Sequence, residues 1–151
     1  MSTFLFDSTI FGPVKSRRLG NSLGINLLPN DRKICNFNCI YCECGWNKSS
    51  NSEIILPKLN DISDSLIKKI EELKNKNVKV DTITFAGNGE PTIHPDFPLI
   101  LERTIEIRNN ILPKAKIAVL SNSALIYKKN IVDALFKVDL NILKLDTAIE
   151  N

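Results

Sequence analysis

Cys35, Cys39 and Cys42 lie in the run Cys-Asn-Phe-Asn-Cys-Ile-Tyr-Cys, a C-x3-C-x2-C spacing. Three thiolates this close can converge on one metal centre from a single loop, and three is one short of a closed tetrahedral site. A metal site with one open position is arranged for chemistry rather than for structure. A fourth cysteine, Cys44, falls within the same ten residues. Disulfide frameworks spread their cysteines to staple distant segments, so this clustering favours metal or redox chemistry. A structural zinc knuckle using all four thiols is the plainer alternative. Against it, Cys44 follows Cys42 by only one residue and no second Cys or His pair lies where a zinc ribbon would place it. The lone histidine, His94, is 50 positions beyond Cys44.

These residues need a scaffold, and the hydrophobic pattern supplies one. Residues 1–22 read as an irregular basic lead-in with Gly12-Pro13 and the group Lys15, Arg17, Arg18. Residues 23–151 read as the main domain. Leu23 to Leu28 is a short strand ended by Pro29-Asn30. Residues 61–76 form a helix: Ile62, Leu66, Ile67, Ile70 and Leu73 make an apolar stripe, with Asn60 or Asp61 as its cap. Val80 to Ala86 is a second strand. Asp96 caps a second helix, with Pro98 in its first turn and Phe97, Leu101 and Ile105 facing inward. Lys116 to Leu120 is a third strand, 127–136 a third helix, and Val138 to Leu145 a fourth, largely apolar strand.

Strands alternating with helices predict an α/β fold with a parallel sheet covered by helices. In such folds ligands bind at the C-terminal ends of the strands. The polar segments fall there. The cysteine loop follows the first strand, Gly87-Asn88-Gly89-Glu90-Pro91-Thr92 the second, Ser121-Asn122-Ser123 the third, and Asp146-Thr147 the fourth. Four parallel strands cannot close a barrel, so the last should leave an open apolar edge. The chain is therefore expected to be the N-terminal part of a longer protein, or to cover that edge by dimerising.

The bulk numbers are those of an ordinary soluble globular protein. With 151 residues, 43% hydrophobic and 25% charged, the chain is one ordinary globular domain. A net charge of +3 is too mild to imply nucleic acid by itself. No stretch approaches the roughly 20 apolar residues of a membrane span. The N-terminus, Met-Ser-Thr-Phe-Leu-Phe-Asp, is no signal peptide, so a cytoplasmic protein is expected.

The cysteine motif, with Tyr41 before its last Cys, resembles the radical S-adenosylmethionine (SAM) superfamily. Gly87-Asn88-Gly89-Glu90-Pro91 resembles that superfamily's glycine-glycine-glutamate motif. Gly12-Pro13-Val14-Lys15-Ser16-Arg17-Arg18-Leu19-Gly20, followed by Ser22-Leu23-Gly24, is similar to its wyosine-synthetase-like Fe–S oxidoreductase branch. The resemblance runs over roughly residues 10 to 147. It implies a partial (β/α) barrel and a [4Fe–4S] cluster held by Cys35, Cys39 and Cys42. SAM on the fourth iron would be reductively cleaved to a 5′-deoxyadenosyl radical that abstracts hydrogen from substrate. It further implies that Tyr41 sits near the adenine and that Gly87, Asn88, Gly89 and Glu90 meet SAM's amino group. Ser121 and Asn122 would meet its ribose or carboxylate, and Lys144 and Asp146 the same pocket. A flavodoxin- or ferredoxin-like donor would supply the electron.

Each of these residues also has a structural reading: a packed loop aromatic for Tyr41, a turn cap for Glu90, a turn or helix cap for Ser121 and Asn122. His94 reads as structural, holding the turn before the second helix, and Cys44 as a bystander thiol. Lys15, Arg17 and Arg18 suit a nucleotide or tRNA phosphate, or are simply solvated. Wyosine-type enzymes carry a second cluster on cysteines upstream of the radical motif, and no cysteine precedes Cys35 in this sequence. An activase of another enzyme or a small-molecule radical enzyme fits equally well. Readings outside that class are a non-catalytic iron–sulfur electron carrier, an inactive fragment of a longer radical SAM enzyme, and a zinc-binding interaction module.

Overall fold

A computed structural model of the chain describes residues 4–47 and 53–144. Its sheet has five strands in the order β1 (Ile10–Ser16), β2 (Gly20–Ile25), β3 (Thr82–Phe85), β4 (Lys116–Ser121) and β5 (Leu140–Leu143). The first pair is antiparallel and the other three pairs are parallel. Helix α1 (Leu59–Asn75) connects β2 to β3, α2 (Phe97–Ile111) connects β3 to β4, and α3 (Lys129–Leu135) connects β4 to β5. The α/β expectation therefore holds, with a sheet consistent with part of a radical SAM barrel.

Side-chain alternation along the strands divides the sheet into two faces. Leu23, Ile25, Ile83, Phe85, Ile117 and Val119 are fully buried and form one cluster with Ile62, Leu66, Ile70 and Leu73 of α1 and Phe97, Ile100, Leu101 and Ile107 of α2. The alternate positions are small: Ser22, Gly24, Thr82, Thr84 and Ala118. Ser22 and Thr84 share a buried hydroxyl hydrogen bond of 2.6 Å on this face. Phe11 lies against Gly24, where any side chain would overlap its ring, and stacks on Phe6 at 3.6 Å between centroids. Large residues under the helices and small ones opposite suit a curved sheet with helices outside. Each fully buried Leu, Ile or Phe contributes about 1.5–3 kcal/mol.

The structure departs from the sequence reading at the edges. Within the expected irregular lead-in, Ile10–Ser16 form β1 and Gly20–Ser22 begin β2. None of β1 is fully buried, and its pairing slips between Phe11 and Val14, across the cis Gly12-Pro13 bond. An edge strand tolerates such a break, but the break hides its alternation. Helix α1 begins at Leu59, with Lys58 rather than Asn60 or Asp61 as its cap and no capping side chain. Asp61 instead lies in the first turn, where it complements the helix dipole. Asp96 does precede α2, with Pro98 in the first turn, but its side chain makes no cap bond. Strand β5 is half-exposed and shorter than expected. Leu145 and Asp146-Thr147 lie outside the described residues.

Candidate metal and cofactor site

The C-terminal ends of β3, β4 and β5, together with the cysteine loop that follows β2, open onto a cavity of about 570 Å³. Cys35, Cys39, Cys42 and Cys44 line one side of it, Gly87, Gly89 and Glu90 a second, and Ser121 and Asn122 a third, with Tyr41 and Lys144 at the wall. Eleven residues singled out in the sequence therefore meet in one place, counting the half-buried Cys44. Asp146 lies outside the described residues. Asn88 is not part of the lining.

Glu90 organises the strand side. Only 2% exposed, its carboxylate accepts from Thr92 N at 3.2 Å, Thr92 Oγ1 at 2.5 Å, Ser121 Oγ at 2.8 Å and Asn122 N at 2.7 Å. One buried carboxylate thus ties the loop after β3 to the loop after β4. A buried polar group of this kind is tolerated because every oxygen has donors. Ser121 Oγ in turn accepts Ser123 N, and Asn122 Oδ1 accepts Ala124 N. The capping and turn roles are thus real for Glu90, Ser121 and Asn122. Asn122 also keeps its amide for the cavity: Nδ2 donates to Cys35 Sγ at 3.4 Å.

Asn88 faces away from the cavity and is fully buried. Its Oδ1 accepts Phe6 N, and its Nδ2 donates to the carbonyls of Phe6 and Pro29. Its own N–H donates to Asn26 Oδ1. The glycines on either side are required by this packing. A Cβ on Gly87 would overlap the Asn26 side chain, and one on Gly89 the Ile34 carbonyl oxygen; both have φ in the glycine region, at +156° and +138°.

Gly89 also bridges to the cysteine loop. Ile34 pairs with it as an isolated parallel bridge, with Ile34 N donating to Asn88 O and Glu90 N to Ile34 O. Beyond Ile34, Asn47 closes the loop by accepting Cys35 N at 3.1 Å and donating to Cys35 O at 2.9 Å. Turns within it run from Cys42 N to Cys39 O and from Gly45 N to Cys42 O. Lys33, almost fully buried, donates to Gly45 O at 2.9 Å and lines the same cavity. Lys144 Nζ sits 3.7 Å over the Tyr41 ring, a cation–π contact that joins the cysteine loop to the end of β5. Burial pushes the Cys44 thiol up to about 11, with Cys42 adding to the shift.

Lys33, Asn26 and Asn47 escaped the sequence reading. No spacing rule singles out a lysine before a cysteine motif or an asparagine after it, since their partners are carbonyls and amides of the folded loop. His94 is structural as expected: Nδ1 accepts Asp96 N, its carbonyl accepts Phe97 N, and Nε2 therefore donates to Pro57 O at 3.1 Å. Burial lowers its pKa. Lys15, Arg17 and Arg18 are exposed near the tip of the β1–β2 hairpin, where Ser16 pairs with Gly20. That tip is at the N-terminal end of β2, opposite the cavity and roughly 20 Å from it along six strand residues.

Among the described residues, no three His, Cys, Asp or Glu side chains are grouped to hold a metal ion. A tetrahedral zinc site needs its sulfurs about 2.3 Å from one point. A cubane cluster asks for a different donor set, because each thiolate binds its own iron. Cys35, Cys39 and Cys42 all line the one cavity, and three thiols are the donor type that such a cluster would take.

Comparison with known proteins agrees with this geometry. A UPF0026 protein of Helicobacter pylori (strain ATCC 700392 / 26695) is 38% identical over 138 residues, covering 91% of this chain and 42% of the relative. A UPF0026 protein of Methanocaldococcus jannaschii is 38% identical over 144 residues, 93% of this chain and 41% of the relative. A Brachyspira hyodysenteriae protein named GTPase Obg is 37% identical over 137 residues, 91% of this chain and 19% of that protein. The chain thus spans less than half the length of these relatives. No solved structure matches it. Residues 32–147, from the cysteine motif through the strands that frame the cavity, match the Radical SAM superfamily, and the chain belongs to that superfamily.

Proposed function

We propose that this chain is the cofactor-binding part of a radical SAM enzyme. In this reading Cys35, Cys39 and Cys42 hold a [4Fe–4S] cluster, and S-adenosylmethionine occupies the cavity between them and the Gly87–Glu90 turn. The observation that carries it is the meeting of the three cysteines, the glycine turn and Ser121-Asn122 on one cavity at the strand ends. Bound there, the pair of cofactors supplies reductive cleavage of SAM and a 5′-deoxyadenosyl radical for hydrogen abstraction.

The chain's own residues bind and orient. Gly87 and Gly89 expose backbone to the cavity edge, and Glu90 holds that edge against the Ser121-Asn122 loop. Asn122 Nδ2 fixes the Cys35 sulfur. Tyr41 and Lys144 close the mouth as a pair and frame the adenine end. Asp146, two positions beyond Lys144 in the sequence, is a further candidate contact for SAM in this reading. Asn88 acts only through the turn it anchors.

The substrate reading draws on the wyosine-synthetase-like segment Gly12–Gly20 and points to tRNA or a nucleotide. Lys15, Arg17 and Arg18 would grip phosphates of a large partner at the end of the sheet remote from the chemistry. Ile40, Tyr41 and Trp46, exposed on the cysteine loop, offer a docking face to a flavodoxin- or ferredoxin-like donor. Thiolate and cluster chemistry of this kind belongs in the reducing cytoplasm. Among the described residues no helix is long and apolar enough to cross a membrane.

The test is anaerobic. The chain is reconstituted with iron and sulfide, reduced, given SAM and assayed for 5′-deoxyadenosine, with Cys39→Ala as control. Deoxyadenosine from the wild type alone is expected. About four irons per chain with SAM untouched would favour an electron carrier instead.

A further inference from the structure

Cys44 is the one thiol of the four that the proposed cluster does not use. A bystander on an exposed loop would turn to solvent. Cys44 is instead half-buried and lines the same cavity as the other three. Its Sγ donates to the Gly87 carbonyl at 3.6 Å. It therefore stands between the thiol cradle and the glycine turn. The backbone that carries it is pinned on its far side, because Gly45 donates to Cys42 O while its carbonyl accepts Lys33 Nζ.

We infer that Cys44 is an exchangeable fourth ligand of the cluster, bound to the open iron in the absence of SAM and displaced when SAM arrives. The inference rests on the cluster reading above. Cys44 binds as the thiolate. On exchange its Fe–S bond would break and Fe–N and Fe–O bonds would form to the amino and carboxylate groups of SAM; the ammonium of SAM gives up one proton as its nitrogen becomes a ligand, and Cys44 takes up one, so the exchange is proton-neutral. The thiol then returns to the Gly87 carbonyl, the arrangement seen in this structure. No atom changes oxidation state, so no further reactant is needed. The exchange shields the one corner iron that three cysteines leave open, and it does so only while the substrate site is empty.

The experiment compares the full chain with Cys44→Ala and Cys44→Ser after anaerobic reconstitution. Iron and sulfide analysis shows whether a cluster forms, and circular dichroism of the cluster-free chains shows that the variants fold. Brief ferricyanide oxidation then converts clusters with an open iron to the three-iron form, which electron paramagnetic resonance counts. If the closed form holds about nine-tenths of the molecules, Cys44→Ala loses the fourth iron about tenfold faster than wild type and binds SAM about tenfold more tightly. Saturating SAM is expected to abolish the difference in iron loss. Equal iron loss in all three proteins, each with a full cluster, overturns the inference and leaves the cluster reading standing. A cluster in wild type but in neither Cys44 variant also overturns it, because Cys44 would then be a permanent ligand. Absence of a cluster from all three overturns both.

Discussion

The turn Gly87–Thr92 and the cysteine loop 35–47 face each other across one cavity and are stabilised in opposite ways. In the turn Asn88, Glu90 and Thr92 are each no more than 3% exposed, and their side chains are spent on partners inside the protein. In the loop Ile40 is 78% and Tyr41 54% exposed, and the ties are turn hydrogen bonds, the Asn47 clasp and single contacts with Lys33, Gly87, Asn122 and Lys144. Order is therefore stored on the strand side. The thiol side is left to be completed by what it binds, as metal sites commonly are.

Substitutions on the ordered side should cost stability whether or not any cofactor is present. Gly89→Ala drives a Cβ into the Ile34 carbonyl at a φ that side chains avoid. A loss of about 3 kcal/mol or more is expected in urea denaturation of the cluster-free chain, with the cysteine loop displaced. A wild-type midpoint would sink the idea that the bridge is rigid. Glu90→Ala strips the acceptor from Thr92 Oγ1, Ser121 Oγ and Asn122 N, at about 2–4 kcal/mol by the same assay.

A smaller effect concerns pH. Burial lowers the His94 pKa from 6.5, so the unfolded chain takes up its proton first as pH falls. Stability should decline below pH 6.5 and level off once the folded form also titrates. His94→Gln should flatten this part of the profile, and an unchanged profile would remove His94 from the account. The smallest effect sharpens the comparison most. Cys39→Ala should shift the denaturation midpoint of the cluster-free chain by less than about 0.5 kcal/mol, while abolishing iron retention after reconstitution. A large apo-state loss would mean that the loop is ordered by its thiols.

Legibility followed the same divide. Strands β3 and β4 and helices α1 and α2 were readable because burial on a sheet or helix face imposes a period on the sequence. The cysteines were readable because their spacing is local. Strand β1 was not, since the Gly12-Pro13 interruption erases its alternation at an edge that demands little of it. Glu90 was readable as part of the turn at a strand end but not as a clasp: its partner Ser121 lies 31 positions away, and no local pattern records that distance. Lys33 was missed for the same reason, being defined by a carbonyl of a loop that exists only when folded.

The hydrogen bond from Asn122 to Cys35 spans 87 positions of the chain. At about 5–20 residues per second, a ribosome adds Asn122 roughly 4–17 seconds after Cys35. For most of that interval the four thiols are already made, while the Ser121-Asn122 loop that will face them is not. On the cluster reading proposed above, delivery to a finished cavity has to wait until β4 has left the ribosome.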